Sequence, residues 1–301
     1  MKNFAIIGVA GYIAPRHLQA IKGTGNNLIA ALDRFDSVGI LDSYFPKADF
    51  FTEFERFDRH LEKLRRRGGK IDYITICSPN YLHDSHIRFT LRHQADAICE
   101  KPLVLNPWNL DALAEIEGET GRKVFTILQL RLHPVIKKLR SDMLLLPPNS
   151  MQQVELTYVT CRGNWYRHSW KGDESKSGGV ATNIGVHFFD MLIWIFGKVT
   201  GNQLDQMEED HAAGVLQLER AVVRWRLSIR EDDLPQKTRL EGKRTYRMLS
   251  VGGKEIEFTD GFTDLHTRCY EHILEGGGFG IEDARPSIEA IHHLRQNKPS
   301  Q

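Results

Sequence analysis

The sequence lacks the features that mark several classes of protein. Its formal net charge is only +1 and its longest basic run is Arg65-Arg66-Arg67, so its composition does not favour nucleic-acid binding. No uninterrupted apolar run reaches the length of a transmembrane helix, and the first residues are typical of a strand rather than a signal peptide. We therefore expect a soluble, cytoplasmic protein whose partners are neither nucleic acids nor membranes.

Cysteine is scarce as well. The four thiols, Cys77, Cys99, Cys161 and Cys269, have neither a metal-binding spacing nor the paired spacing of a disulfide framework. We expect free thiols in a reducing compartment, and no metal site. The 301 residues are 41% hydrophobic and 26% charged, which is typical of a globular protein of one large or two ordinary domains.

A glycine-containing turn follows the first predicted strand, Phe4 to Ile7. Glycine allows a tight turn and a close approach of the backbone to a pyrophosphate. A helix that begins near Pro15 would direct its amide end towards the same anion. The pattern predicts a dinucleotide site formed by Gly8, Gly11, Tyr12, Ile13 and Ala14.

An acidic residue stands where a dinucleotide site needs one. The second apolar run, 28–32, ends at Asp33, which lies 22 residues beyond Gly11. A carboxylate at about 20 residues from the glycines binds a ribose hydroxyl. Asp33 favours NAD because it would repel the 2′-phosphate of NADP, but the neighbouring Arg34 leaves NADP open.

Two further predicted strands end in polar motifs. The strand 71–77 precedes Ser78-Pro79-Asn80-Tyr81-Leu82-His83, and the apolar run 97–99 precedes Glu100-Lys101-Pro102. Proline ends a strand because it cannot donate to the ladder, and ligands of α/β sheets bind beyond the strand ends. The alternative for the second motif is a solvated loop with a chance Glu-Lys pair.

In this order and spacing, the glycine turn and the two motifs resemble the Gfo/Idh/MocA oxidoreductase family. The resemblance implies that the loop after Ser78 borders the nicotinamide of NAD and that Lys101 is a catalytic-site lysine, joined to Pro102 by a cis bond. On that basis the cofactor residues also include Asp33, Arg34, Ser78, Pro79, Asn80, His83, Glu100, Lys101 and Gln129.

The predicted fold has two parts. Residues 1–128 are expected to form a Rossmann-type, doubly wound parallel sheet that binds NAD. Residues 129–301 are expected to form an α/β domain for substrate binding and oligomerisation, with its last helix able to pack on the first domain. Alternating runs at 154–160, 212–218, 221–229, 246–251 and 255–258 predict an open, mostly antiparallel sheet there.

A strongly apolar predicted helix, 180–196, carries polar residues at an interval of four. Asn183 and His187 should therefore share a helical face. A lone histidine in such a helix is usually a core residue, but the pattern around it resembles the second signature of the family. Where most members have aspartate this chain has Asn183, and an amide cannot take a proton. The catalytic group is therefore Lys101, His187 and Asn183, with Lys101 or His187 as the base.

A long polar loop precedes this helix. Its aromatic and basic side chains suit stacking on a base and binding of phosphates, and the alternative is a mobile surface loop. With the two helix residues, the predicted substrate set is Arg162, Asn164, Trp165, Tyr166, Trp170, Lys171, Lys176, Ser177, Gly178, Asn183 and His187.

The loop and Asn183 resemble a narrower group within the family, the UDP-N-acetylglucosaminuronate 3-dehydrogenases of bacterial surface-polysaccharide (lipopolysaccharide O-antigen) synthesis. This resemblance implies a UDP-sugar acid as substrate, oxidation of its C-3 hydroxyl by NAD, a homotetramer and, in some members, 2-oxoglutarate as recycling oxidant. Two alternatives stay open: a family dehydrogenase of another sugar, inositol or nucleotide sugar, and a catalytically silent NAD-binding protein.

Overall fold

The computed structural model describes residues 1–258 and 264–297, which form two compact units. The first unit comprises Met1–Val104, Trp108–Gln129 and Asp264–Ala284. The second comprises Leu105–Pro107, Leu130–Thr263 and Arg285–Gln301.

The strands are β1 (Asn3–Ile7), β2 (Asn27–Leu32), β3 (Asp49–Phe51), β4 (Tyr73–Ile76), β5 (Asp96–Cys99), β6 (Val124–Thr126), β7 (Gln152–Thr160), β8 (Val199–Met207), β9 (His211–Leu218), β10 (Ala221–Ser228), β11 (Thr245–Val251) and β12 (Lys254–Glu255). The helices are α1 (Ala14–Gly23), α2 (Ile40–Tyr44), α3 (Phe54–Arg66), α4 (His83–Arg92), α5 (Trp108–Thr120), α6 (Pro134–Leu145), α7 (Trp165–His168), α8 (Glu174–Ser177), α9 (Val186–Phe196), α10 (Gln236–Leu240), α11 (Leu265–Leu274) and α12 (Ile281–Gln296).

The first unit is built on a parallel six-stranded sheet in the order β3-β2-β1-β4-β5-β6. The strand order reverses between β1 and β4, so the crevice beyond their carboxyl ends is the expected ligand site of a doubly wound sheet. The Rossmann-type prediction is confirmed. Helix α11 belongs to this unit although it follows β6 by more than a hundred residues.

Helix α3 faces the core of the first unit. Phe57 and Leu61 of α3 are buried in one cluster with Ile7 and Ile74 of the sheet. Just before this helix, Asp49–Phe51 forms the edge strand β3, which pairs with β2 and was not predicted. Three residues are too few to show a period of two in the sequence.

The second unit contains a six-stranded sheet in the order β12-β11-β7-β10-β9-β8. Its described pairings are antiparallel except for the parallel pair β7 and β10. Leu156 of β7, Trp225 of β10 and Phe189 of α9 share one buried cluster, so one face of the sheet packs against α9. The predicted open, mostly antiparallel sheet is confirmed.

Two strands of this sheet differ from the prediction. The edge strand β8 was not predicted, since Val199–Met207 has an irregular burial pattern and polar residues on both sides. The strand predicted at 255–258 is reduced to the two residues of β12. Edge strands lack a neighbour on one side, so their sequences carry a weaker alternation.

The apolar helix is the main core element of the second unit. The helical stretch Glu174–Phe196 comprises α9 and the helical turns before it. By length and composition it is long and apolar enough to cross a bilayer. Of its most apolar window, 72% is buried inside the protein, which is the environment of a core helix.

The compact units are discontinuous in sequence, because Asp264–Ala284 groups with the first one. The division at 128/129 into separate domains stays a prediction, and positions 259–263 and 298–301 of its second part lie outside the described residues. The four cysteines are free and buried, as expected.

Candidate active site

The glycine turn lies directly after β1, and its conformation requires glycine. Gly8 has a φ of +88°, and a Cβ there would lie 2.6 Å from the carbonyl carbon of Cys77. A side chain at this position would therefore collide with backbone as well as strain it. The turn leads into α1 with Pro15 in its first turn, so the cradle expected for a pyrophosphate is present.

Asp33 stands at the end of β2 and holds this turn in place. One carboxylate oxygen accepts from the backbone N–H of Ala10 at 2.9 Å, and the other accepts from the backbone N–H of Phe35 at 3.0 Å. The exposed Arg34 places its guanidinium carbon 5.0 Å from the centre of the Phe35 ring. The contacts of Asp33 and Arg34 with a ribose stay predictions, and so do those of Tyr12, which is 85% exposed, and of Ile13 and Ala14 at the start of α1.

His83 connects the Ser78 motif after β4 with the Glu100-Lys101-Pro102 motif after β5. The buried ring of His83 has its Nδ1 2.7 Å from the carbonyl oxygen of Pro102 and its Nε2 2.9 Å from that of Ser78. Burial lowers the pKa of His83. The structure thus brings the ends of the Ser78 and Lys101 motifs together, with Pro79 and the buried Asn80 opening a short helical turn between them.

A second histidine supports the same loop. His86 of α4 has its Nδ1 2.8 Å from the hydroxyl oxygen of Ser78. Burial lowers the pKa of His86 to about 4, so at neutral pH its uncharged ring accepts from the Ser78 hydroxyl. His86 was not predicted as a site residue.

Lys101 is the second residue after β5, is partly buried, and is joined to Pro102 by the predicted cis peptide bond. Gln129 opens the short helical turn Gln129–Leu132 after β6. Its buried side-chain oxygen has no hydrogen-bond partner among the described residues. A buried acceptor without a partner is typical of a ligand-binding position.

Beside Lys101, a buried cluster surrounds Glu100. Its Oε1 lies 2.9 Å from Nε2 of His17 on α1 and 2.9 Å from Nε2 of His266 on α11. Its Oε2 accepts from the backbone N–H of Lys101 at 3.2 Å. The other ring nitrogen of His17 lies 2.8 Å from the hydroxyl of Tyr270, which lies 2.8 Å from that of Thr75.

This cluster has the composition of a metal site, because two imidazoles and a carboxylate converge. The 2.9 Å contacts of Glu100 with His17 and His266 have the length of hydrogen bonds. We describe the cluster by these hydrogen bonds, and the expected lack of a metal site stays a prediction.

The hydrogen bonds determine the charge of Glu100. Burial by itself raises the pKa of a carboxyl, but the donors His17 and His266 outweigh it and hold the pKa of Glu100 well below its usual range. Burial lowers the pKa of His17. The sequence predicted Glu100 but neither histidine. His266 was not predictable because nothing in the sequence indicates that α11 returns to the first unit.

In the second unit, the predicted catalytic residues Asn183 and His187 are more exposed than their neighbours in the helix. Residues 184–186 and 188–190 are buried, whereas Asn183 and His187 are partly exposed. Asn183 lies in a turn of π-helix, Ala181–Gly185, and His187 in the α-helix that continues it. Such π turns in an α-helix are frequent at functional positions. The two side chains therefore share the accessible side of this helix, as predicted.

The predicted substrate loop is folded and not extended, since it contains the short helices α7 and α8. The buried Tyr166 accepts a hydrogen bond from the side-chain amide of Asn183 at 2.7 Å, so two predicted substrate residues meet. Lys171 places its Nζ 4.2 Å from the ring centre of Trp170 and 5.8 Å from that of Trp165.

The remaining predicted substrate residues are more scattered. Arg162 is partly exposed, Asn164 is exposed, and Ser177 and Gly178 are buried at the end of α8. Lys176 forms an ion pair with Asp173 at 2.9 Å. This pair lowers the pKa of Asp173 to about 2, chiefly through the hydrogen bond from Lys176. Their contacts with a substrate stay predictions.

Sequence reasoning missed a buried ion pair behind the catalytic helix. Two guanidinium nitrogens of Arg131 donate to the two carboxylate oxygens of Asp190 at 3.0 and 2.6 Å, and both side chains are almost fully buried. Asp190 lies three residues after His187 in the sequence, and this His-x-x-Asp spacing was the signal available. The bidentate pair fixes α9 one turn beyond His187.

Comparison with protein-family models identifies the family of this chain. Residues 2–128 match the model of the oxidoreductase family with a NAD-binding Rossmann fold, and residues 150–232 match the model of its C-terminal alpha/beta domain. The chain belongs to the Gfo/Idh/MocA family. Its first unit therefore contains the NAD-binding domain of an oxidoreductase.

Solved structures extend the comparison over the whole chain. The WlbA (WbpB) dehydrogenase from Thermus thermophilus is 50% identical, with a TM-score of 0.96 over 100% of this chain and 97% of that one. It has been solved with NAD and alpha-ketoglutarate and with NAD and UDP-GlcNAcA. The WlbA dehydrogenase from Bordetella pertussis has the same fold, at 17% identity and a TM-score of 0.77 over 99% and 96% of the two chains.

Curated relatives are more distant. Inositol 2-dehydrogenase from Rhizobium meliloti is 23% identical over 207 residues, which are 65% of this chain and 55% of that protein. Other curated relatives are matched over 36% to 59% of their length. The chain thus spans about half the length of the curated relatives that it matches.

Proposed function

We propose that this protein is an NAD-dependent dehydrogenase that oxidises the C-3 hydroxyl of UDP-N-acetylglucosaminuronate to a ketone. The observation that carries the proposal is the 50% identity, along the whole chain, with a dehydrogenase solved with NAD and UDP-GlcNAcA. The motifs that distinguish this chain within the family support it, above all Asn183 in place of aspartate.

Two side chains can take the hydroxyl proton. NAD, when bound, accepts the hydride from C-3, and the hydroxyl must lose its proton as the carbonyl forms. Lys101 follows the strand end at which ligands of this fold bind. A positive nicotinamide disfavours its ammonium form, and the ionised carboxylate of the neighbouring Glu100 opposes that effect. His187 is the alternative base on the accessible side of its helix. Asn183 cannot take the proton, and its amide orients the sugar.

The substrate loop supplies groups suited to the rest of a UDP-sugar acid. Arg162, Lys171 and Lys176 are cations for the diphosphate or the carboxylate. Trp165 is 55% exposed and, with Trp170, offers a surface on which a base can stack. The ammonium group of Lys171 lies beside both rings. A base stacked on a tryptophan and a phosphate bound to Lys171 would therefore contact neighbouring side chains of one loop.

The wider setting of this activity is part of the same proposal. We propose a cytoplasmic homotetramer acting in lipopolysaccharide O-antigen synthesis, with 2-oxoglutarate as the oxidant that regenerates NAD. The neighbour from Thermus thermophilus has been solved with alpha-ketoglutarate, which supports this recycling route. The exposed side of the second sheet, with Glu155, Arg224 and Arg226 pointing away from its core, offers a surface for a partner subunit.

A substrate panel tests the proposal. Reduction of NAD, followed by NADH absorbance, is expected with UDP-N-acetylglucosaminuronate and not with free N-acetylglucosaminuronate or inositol. UDP-N-acetylglucosamine, which lacks the carboxylate, tests that group separately. Turnover of inositol or a free sugar in preference to the nucleotide sugar would favour the other family activities, and no turnover with any sugar would favour a silent NAD-binding protein.

A further inference from the structure

The carboxylate of Glu100 takes no part in the proposed proton transfer, yet both its oxygens are held. Oε1 accepts from His17 and His266, and Oε2 accepts from the backbone N–H of Lys101. Glu100 is 7% exposed and the two histidines are 0% and 2% exposed. Three N–H donors around a buried carboxylate favour its ionised form.

The hydrogen bonds beyond Glu100 specify the protons. An ionised carboxylate only accepts, so His17 carries its proton on Nε2 and its Nδ1 accepts from the hydroxyl of Tyr270. Tyr270 in turn accepts from the hydroxyl of Thr75. Each hydrogen bond in the series from Glu100 to Thr75 then has one donor and one acceptor, and none requires a second charged side chain.

The proton of His266 follows from the same reasoning. Its Nε2 donates to Glu100, and its buried Nδ1 has no partner among the described residues. A proton on that nitrogen would be a buried, unpaired and charged donor, which is costly. The neutral ring fits, so the cluster of His17, Glu100 and His266 carries the single negative charge of Glu100.

This charge lies in the half of the sheet that the nicotinamide occupies in the fold. In a doubly wound sheet the pyrophosphate binds at the turn after β1 and the adenosine ribose at the acid after β2. The ends of β4 and β5 are left for the nicotinamide half, and Glu100 is the residue directly after β5.

We propose that Glu100 makes the protein bind oxidised NAD, whose nicotinamide is positive, more tightly than NADH, whose nicotinamide is neutral. His17 and His266 are positioning residues that keep the charge ionised in its buried place. Removing one unit charge near the nicotinamide in a partly buried environment changes affinity roughly three- to thirtyfold. The inference rests on NAD binding and is independent of the sugar substrate.

The test compares the dissociation constants of NAD and NADH for the whole protein freed of bound nucleotide. Glu100→Gln keeps the shape of the side chain and removes its charge. Its dissociation constant for NAD is expected to rise about three- to thirtyfold, while that for NADH stays within about twofold. Glu100→Met is the second neutral variant. Because it leaves the buried N–H groups of His17 and His266 without an acceptor, its thermal unfolding is measured first to show that it is folded.

Two controls separate charge from structure. Asp96→Asn removes a carboxylate from the first residue of β5, about 13 Å along the same strand. Tyr270→Phe removes the hydrogen bond to His17 without changing any charge. Both are expected to keep the wild-type ratio of the two constants. An unchanged ratio in the neutral variants of Glu100, or parallel weakening of NAD and NADH, would overturn the proposal whatever sugar the protein oxidises.

Discussion

Lys101 is the residue on which the proposed chemistry depends most. It is the second residue after β5, its backbone N–H donates to the carboxylate of Glu100, and the carbonyl oxygen of Pro102 lies 2.7 Å from Nδ1 of His83. Both contacts fix the backbone from which the lysine projects. A general base needs such fixed placement because proton transfer requires hydrogen-bond distance.

Replacing Lys101 with alanine is expected to lower kcat by about 10²–10⁴-fold, because a positioned base contributes that much. Binding of NAD, measured by titration, is expected to persist. Small primary amines added to the variant distinguish the two roles, since rescue of turnover indicates that Lys101 takes the proton. His187→Gln is the matched variant for the other candidate base. Near-normal turnover of Lys101→Ala would exclude Lys101 from the mechanism.

At the scale of elements, the sequence predicts best where a pattern is long or chemically strict. The glycine turn, α9 and the central strands β7 and β10 were predicted because periodicity or a steric requirement marks them. The strands β3 and β8 were missed because edge strands are short or polar. His266, one partner of Glu100, was missed for another reason: α11 lies far along the chain, and no local pattern encodes which unit it joins.

The bidentate pair of Arg131 and Asp190 makes a prediction about α9. Asp190→Asn keeps the size of the side chain but leaves the guanidinium of Arg131 without its counter-charge. Breaking a buried ion pair in this way costs about 3–5 kcal/mol. The free energy of unfolding from denaturant titration is expected to fall by that amount. Asp142→Asn, which breaks the exposed pair of Lys138 and Asp142, is the control and is expected to cost below about 1 kcal/mol. Equal losses in the two variants would contradict a stabilising role specific to the buried pair.

At the scale of the whole molecule, the chain combines a NAD-binding unit with a unit that carries Asn183, His187 and the loop with Lys171. The NAD-binding part was predictable from motifs that every dinucleotide site of this fold needs. The substrate was predictable only through resemblance, because neither the length nor the charge of a loop specifies a sugar. The central claim is therefore the identity of the carbon that is oxidised.

The most direct measurement uses UDP-N-acetylglucosaminuronate that carries deuterium at C-3. After a single turnover with NAD, mass spectrometry of the nicotinamide is expected to find the deuterium in the reduced cofactor, and the sugar is expected to be a 3-keto product without it. Deuterium that remains on the sugar while NADH forms would contradict oxidation at C-3.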